Sequence, residues 1–332
     1  MSGQVYTPSL RVPLTSDRRK PLALAPGGAV RLISPSSPAD NQAIRRGLAE
    51  LKRLGYIIHG RPASAKPDGY FAAPLPRRMA ELEAALQDRN ADAIFCTRGG
   101  YGSAALLDRL RLPASTRAKL LVGYSDVTTV HAYLWKRFRW PSVYGPMLAA
   151  GLDHGANKPR GYDRTSFLNA VSGSCERWSL ALDGEALVPG EASGVLLGGC
   201  LTLLQTSLAT SWEFDTRGAL LLLEDIAVKP YQLDRMLLHL AQAGKFRGVR
   251  GIILGDFPES LEMRGGVTIR GVCRRLLGKL GVPIVFGAPV GHTSRPMLTI
   301  PLGVRARLHA RGEGKLEILE SVVAGARDTR PK

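Results

Sequence analysis

Cysteine is scarce in this 332-residue chain: Cys96, Cys175, Cys200 and Cys273 are the only four. None forms a Cys-x-x-Cys pair, which argues against a zinc site or a disulfide framework. Cys96 and Cys200 sit in apolar runs, so buried free thiols in a reducing compartment are expected. Aromatic residues make up 6% of the chain, and none interleaves with Arg and Gly as in single-strand nucleic-acid binders. No apolar run reaches the length of a membrane span, so no membrane partner is expected. Internal repeats and low-complexity segments are also missing. Acidic residues are outnumbered, with 28 Asp and Glu against 45 Lys and Arg and a net charge of +17. The basic residues do not gather; the longest cluster is Arg18-Arg19-Lys20. The charge therefore reads as a solvated basic surface, and no nucleic-acid partner is expected.

What is present is an ordinary globular composition, long enough for two domains. Residues 1–28 mix polar, proline and basic residues and read as an N-terminal arm. Arg18-Arg19 hints at a twin-arginine signal, but the apolar stretch after it is short and rich in Gly and Pro. The expectation is a cytoplasmic protein. From Ala29 onward strand and helix patterns alternate. Ala29 to Ser34 reads as a strand. A helix from about Asn41 carries Ile44, Leu48, Leu51 and Leu54 on one face and stops at Gly55. Strands follow at Tyr56 to His59, Asp92 to Thr97 and Lys119 to Tyr124. Helices are expected over Arg77 to Asn90, after Ser103, and from Asp126 to about Arg137. This repetition predicts α/β architecture with a parallel sheet covered on both faces.

Residues 151–190 lose periodicity and read as a linker between a domain at 29–150 and a second at 191–325. The second half shows strands at Val195 to Leu197, Ala219 to Leu223, Val249 to Leu254 and Pro283 to Phe286. Helices carry Leu201 to Leu208, Tyr231 to Ala243 and Thr268 to Leu280. The tail reads as antiparallel: Met297 to Ile300, Val304 to His309 and Lys315 to Leu319.

The sharpest chemical feature is Gly123-Tyr124-Ser125-Asp126. An apolar strand stops, Gly123 permits a tight turn, and a helix follows Ser125. A serine so placed projects above the sheet edge, and the Asp126 N–H at the helix start can hold an oxyanion. Only half of Gly-x-Ser-x-Gly is matched, because Val127 takes the place of the second glycine. A plain helix cap remains the competing reading. Arg98-Gly99-Gly100-Tyr101-Gly102 also follows a strand directly. Its glycines let a ligand approach the backbone, and Gly99 or Gly100 can supply a second oxyanion donor. The Lys-Ser/Thr ending of a phosphate loop is absent, and tight-turn glycines without a ligand are the simpler alternative.

A serine nucleophile needs a base and an orienting acid. Among the six histidines, His292 alone ends a strand leading into a Gly/Pro loop, a place for a mobile, exposed imidazole. Glu224 closes the run Ala219 to Leu223, and a carboxylate there is costly unless it is paired.

Together with Leu223-Glu224-Asp225-Ile226, Tyr231-x-x-Asp234-Arg235, Gly291-His292, Pro301-Leu302-Gly303, Gly145-Pro146-Met147 and Gly198-Gly199, these motifs resemble the LD-carboxypeptidase family. That family includes the microcin C immunity hydrolases, and the likeness runs from about Val30 to Leu319. The resemblance implies an N-terminal Rossmann-like parallel-sheet domain and a C-terminal swivelling β/α domain. It implies Ser125 as nucleophile, His292 as base and Glu224 as the acid orienting it. The oxyanion hole would come from the backbone at Gly100 and Asp126, with no metal and no cofactor. Arg98, Gly99 and Tyr101 are candidates for holding substrate, Arg98 by anchoring a carboxylate. The implied substrate is a muropeptide, which loses its terminal D-alanine in cell-wall recycling, and the implied state is a homodimer. Two positions depart from the family: Cys200 where Asn is usual, and Val228 or Lys229 where a second acid often stands. A self-immunity hydrolase acting on peptidyl or aminoacyl nucleotides is the alternative within the class. A binding protein without catalysis is the alternative outside it.

Overall fold

Short apolar runs without alternation fold here into strands buried on both faces, as parallel sheets require. The computed structural model describes residues 20–60, 67–113, 115–260 and 265–325. Five of the six strands of its first sheet are β1 (Ala29–Ile33), β2 (Ile57–His59), β3 (Ala93–Cys96), β4 (Leu120–Gly123) and β5 (Ser142–Tyr144), in the spatial order β5-β4-β3-β1-β2 and parallel to one another. The crossovers carry α1 (Asn41–Arg53), α2 (Leu75–Gln87), α3 (Ala104–Leu107) and α4 (Thr128–Phe138). The Asp40 carboxylate opens α1 by accepting the Ala43 N–H at 2.9 Å. Alternate residues of β4 serve different layers. Leu120 and Val122 pack with Phe95 and Tyr144, whereas Leu121 packs with Leu106 and Val130.

The second half begins with α5 (Arg164–Ser172), β6 (Trp178–Ala181) and β7 (Glu185–Val188). Then come β8 (Gly190–Cys200), α6 (Leu201–Thr206), β9 (Ala219–Glu224), α7 (Pro230–Gln242), β10 (Gly251–Gly255), α8 (Ile269–Leu277) and β11 (Ile284–Ala288). The chain closes with β12 (Ile300–Leu302), β13 (Arg305–Ala310) and β14 (Lys315–Ile318). The eight-stranded second sheet runs β6-β14-β13-β8-β9-β10-β11-β7. Its centre, β8 to β11, is parallel and its flanks are antiparallel. The two faces of β9 divide in the same way as β4: Leu220 and Leu222 enter one core layer, Leu221 and Leu223 another. The α/β class with two sheets is as the periodicity predicts.

Three differences are informative. The stretch 151–190, expected as a linker, contains α5, β6 and β7. Asp163 caps α5 by accepting the Ser166 N–H at 2.6 Å, and Gly173 ends it at φ +66. The two strands are four residues each and lie at opposite edges of the second sheet, which is too little chain for a period to show. The strand expected over Met297 to Ile300 forms instead at Ile300–Leu302. It returns to the first sheet, antiparallel to β5, with Ile300 opposite Tyr144. Of the expected N-terminal arm, Arg18 and Arg19 lie outside the described residues. Leu24 is fully buried and donates its N–H to Val171 O at 2.8 Å.

Among the described residues, no helix is long and apolar enough to cross a membrane. The four cysteines are free thiols; Cys96, Cys200 and Cys273 are buried.

Candidate active site

Strand β4 ends at Gly123, and the chain turns sharply. Ser125 adopts φ 62, a left-handed conformation that L-residues other than Asn and Asp rarely take. A 3-10 turn over Ser125–Val127 leads into α4, where a continuous helix from Asp126 was expected. The strained turn is held from several sides. The Ser125 N–H is donated to the Tyr144 hydroxyl at 3.2 Å. The Asp126 carboxylate accepts Ser36 Oγ–H at 2.5 Å and the Ser103 N–H at 2.8 Å. Its own carbonyl accepts from Ser103 Oγ at 2.7 Å and Thr129 Oγ1 at 3.1 Å. The Asp126 N–H lies in the first turn, where no preceding helical carbonyl exists to take it.

His131 braces the same turn from α4. Its Nε2 donates to Gly123 O at 2.9 Å, which leaves Nδ1 to accept from Ser142 Oγ at 2.7 Å. Burial pushes this imidazole down to about 4, against a carbonyl contact that works the other way. Above pH 6.5 the ring is neutral folded and unfolded, and no cost arises. Between 6.5 and 4 only the unfolded chain takes the proton, so stability falls with pH, by roughly 3 kcal/mol if the interval is traversed fully. His131→Gln keeps a donor for Gly123 O and removes the titration. The loss of melting temperature from pH 6.5 to 4 should shrink in that variant.

The glycine loop after β3 packs directly on the serine. A Cβ at Gly99 would stand 2.8 Å from Ser125 Cβ and 3.0 Å from Oγ, so only glycine lets the backbone come this close. Gly100, at φ +103, leaves no room either: a Cβ would lie 2.4 Å from Ser37 Oγ. Ser37 N–H donates to Gly99 O at 3.2 Å, and Tyr101 N–H donates to Ser37 Oγ at 3.1 Å. Arg98 donates Nη1 to Pro38 O at 2.9 Å and is otherwise exposed. Tyr101 is 57% exposed, its ring 5.7 Å from Tyr70 and 5.9 Å from Phe71. Beneath them the buried Arg78 donates to Pro35 O at 2.7 Å and Gly102 O at 2.8 Å, which fixes both loops.

Across from this turn, β9 delivers Glu224, fully buried. Its Oε2 accepts the His292 backbone N–H at 2.8 Å and lies 2.8 Å from His292 Nδ1. Its Oε1 accepts the Tyr144 hydroxyl at 2.5 Å. Donation from Nδ1 leaves Nε2 as the basic nitrogen. Burial alone would raise the Glu224 carboxyl, but the His292 charge and the hydrogen bonds from His292 and Tyr144 outweigh it and hold it below its usual value. Burial likewise opposes the imidazolium at His292, and the facing carboxylate outweighs it and holds His292 above its usual value.

The His292 side chain is 15% exposed, so the expected mobile, exposed imidazole is corrected to a largely buried one. The loop after it is fastened: Arg295 pairs with Asp256 and donates to Gly287 O and, at 3.1 Å, to Asp183 O. The Tyr124 ring stands edge-on to His292 at 5.2 Å. Neither Ser125 Oγ nor His292 Nε2 makes a hydrogen bond among the described residues.

Close packing of glycine on Glu224 makes one prediction direct. Gly291, at φ +63, would place a Cβ 2.4 Å from Glu224 Cδ. Gly291→Ala should displace the carboxylate, lower activity about 100-fold and cost about 2 kcal/mol of stability. Thermal melts and steady-state kinetics check both.

The structure thus brings Ser125, Glu224, His292, Gly99, Gly100 and Asp126 to the facing strand ends of two sheets. Arg98 and Tyr101 lie on the outer side of the glycine loop. The sequence reading missed Tyr144 and the Asp126 carboxylate. Asp225, next to Glu224, is turned away and accepts from the Thr202 N–H and hydroxyl at 2.9 and 2.7 Å, capping α6. Among the described residues no group of His, Cys, Asp and Glu has the arrangement of a metal site. A cavity of about 820 Å³ lies away from this site, at the opposite ends of β3 and β4 beside Asp92 and Lys119.

Two α/β units with a sharp strand-to-helix serine turn facing a buried Glu–His pair define a class of two-domain hydrolase-like proteins. Residues 30–145 match the LD-carboxypeptidase N-terminal domain and residues 193–308 the LD-carboxypeptidase C-terminal domain, so the chain belongs to the LD-carboxypeptidase family. It is 32% identical over 295 residues to the "Probable murein peptide carboxypeptidase" of Bacillus subtilis (strain 168), covering 87% of this chain and 91% of that one. The crystal structure of muramoyltetrapeptide carboxypeptidase from Oxalobacter formigenes superposes with a TM-score of 0.78 at 28% identity, over 88% of this chain and 99% of that one. The microcin C7 self-immunity protein MccF, in complex with aspartyl sulfamoyl adenosine, shares the fold with a TM-score of 0.84 at 22% identity, over 92% and 99% of the two chains.

Proposed function

We propose that this protein is a serine-type carboxypeptidase that removes the terminal D-alanine from murein tetrapeptides. In this reading it works in the cytoplasm as a homodimer, in cell-wall recycling. Ser125 Oγ attacks the carbonyl carbon of the penultimate residue while His292 Nε2 takes the hydroxyl proton. Glu224 holds Nδ1–H, which fixes the tautomer and stabilises the imidazolium. The oxyanion is received by the N–H groups of Gly100 and Asp126. Collapse breaks the peptide bond, and His292 passes its proton to the departing amine of D-alanine. Water, activated by the same imidazole, then hydrolyses the acyl ester on Ser125. No step calls for a metal.

One observation carries the reading. Ser125 sits at φ 62 against Gly99, with its N–H tied through Tyr144 to the carboxylate that holds His292. A serine that only capped a helix would not need that strain or that link.

Arg98 uses one guanidinium nitrogen on Pro38 O and keeps the rest for a ligand, such as the carboxylate of the terminal D-alanine. Arg98→Met should raise KM about 10-fold and change kcat less. Gly99 lets the peptide run close to the backbone, and the Tyr101 ring flanks it. The base must be neutral, and His292 is held above its usual 6.5. The acid limb of kcat/KM should therefore lie above pH 6.5, with activity lost as pH falls through it.

Substrate choice is tested by offering the wild-type protein a murein tetrapeptide and an aminoacyl-sulfamoyl nucleotide side by side, read by mass spectrometry. Faster loss of D-alanine from the tetrapeptide is expected. Preferential cleavage of the nucleotide would move the protein to the immunity hydrolases, and binding without turnover would make it a binding protein.

A further inference from the structure

Tyr144 has no assigned role, yet it touches both halves of the site. It is the last residue of β5, fully buried, and its hydroxyl bonds Ser125 and Glu224 with the Thr128 hydroxyl beside it. It accepts the Ser125 N–H from the first unit at 3.2 Å and donates to Glu224 Oε1 in the second at 2.5 Å. Backbone on both sides fixes the ring. β5 is paired to β4 at Gly123 and to β12 at Ile300. On one flank Gly199, at φ +142, leaves no space for a Cβ, which would meet the ring at 3.0 Å.

We propose that Tyr144 is a positioning residue that couples the serine turn to the Glu–His pair across the two units and sets how tightly that pair holds its proton. This rests on the triad assigned above. Two donors, both from His292, occupy Glu224 Oε2, and the phenol occupies Oε1. A phenol O–H draws negative charge toward Oε1 and makes the carboxylate a weaker base. The pair then releases its proton more readily, whichever of Glu224 and His292 carries it. Burial and the facing carboxylate hold the phenol well above its usual value, so it stays a donor throughout the working range. The other titratable groups facing these residues are His131 and Cys200 around the Tyr144 ring, Asp225 beside Glu224, and Tyr124 and Glu259 near His292. None of them donates to Glu224 Oε1 or takes the Ser125 N–H.

The sign of the expected effect follows. Tyr144→Phe removes the donor and keeps the ring, so the pair binds its proton more tightly. His292 should titrate about half a pH unit or more above wild type. The acid limb of kcat/KM should move up with it, and kcat should fall about 30-fold with KM little changed. 3,5-Difluorotyrosine at position 144, introduced by suppression of a stop codon, is a stronger donor of nearly the same shape. It should move the His292 titration below wild type. A residue that only fills space would shift neither, and opposite shifts from two near-isosteric rings are not a packing effect.

The experiment follows the His292 ring by NMR against pH in the full chain, for wild type and both variants, beside D-alanine release from murein tetrapeptide. Opposite shifts in the two variants support the inference even if wild type releases no D-alanine, an outcome that would overturn the substrate reading alone. Should the phenylalanine variant fail to fold, the difluorotyrosine arm still decides the sign. Titration within 0.2 pH units of wild type in the folded variants would overturn the coupling.

Discussion

Replacing Ser125 with alanine should lower kcat/KM for D-alanine release by about 10⁴-fold or more while leaving the fold as stable as wild type. In the proposed mechanism the size of the loss follows from the loss of the nucleophile. What remains is binding and the oxyanion donors, which alone give only a small part of the rate. The unchanged stability follows from the geometry. Ser125 Oγ makes no hydrogen bond among the described residues, so its removal breaks none. The bond from the Ser125 N–H to Tyr144 belongs to the backbone and survives. Both residues bear the same cost of a positive φ. Circular dichroism, thermal melts and a D-alanine release assay together check the prediction. A variant that melted far below wild type would show that the hydroxyl holds structure.

The second large effect is at Glu224, and its signature differs. Glu224→Gln should lower kcat by about 10³-fold and also cost about 2 kcal/mol of stability. The carboxylate receives three donors on two oxygens: Tyr144 O–H, His292 N–H and His292 Nδ1–H. A glutamine offers one oxygen and turns an NH2 group toward the remaining donors. With Oε1 as the amide oxygen, both His292 bonds are lost. With the amide the other way, the phenol loses its acceptor. In either orientation a buried donor is left unpaired, and the imidazole is no longer fixed with Nε2 basic. Loss of stability together with activity at Glu224, against loss of activity alone at Ser125, is the pattern to measure.

Much of the candidate site was legible in the sequence because its residues punctuate strands. Ser125 follows an apolar run and a glycine. Glu224 closes five apolar residues, where a charge needs a partner. Gly99 and Gly100 follow a third strand. These cues are local, and the structure places all of these residues at facing strand ends. The partners that hold them are not local. Tyr144 lies 80 positions from Glu224, and Ser36 lies 90 from Asp126. A tyrosine ending a three-residue strand and a serine in a Ser-Ser turn carry no period or spacing that marks them.

His292 shows the converse error. A Gly/Pro loop suggests exposure, but Arg295 and Asp256 fasten this one and the imidazole is mostly covered. The helix and strands within 151–190 escaped because each is short. The return of β12 to the first sheet escaped because its pairing with β5 joins positions more than 150 residues apart.

The central claim is that Ser125 carries out D-alanine release, and one measurement reaches it directly. Wild type and Ser125→Ala are each incubated with a murein tetrapeptide, and the products are weighed by mass spectrometry. Loss of one D-alanine with wild type alone is the result predicted. Release by both proteins would contradict the nucleophile, and release by neither would contradict the substrate.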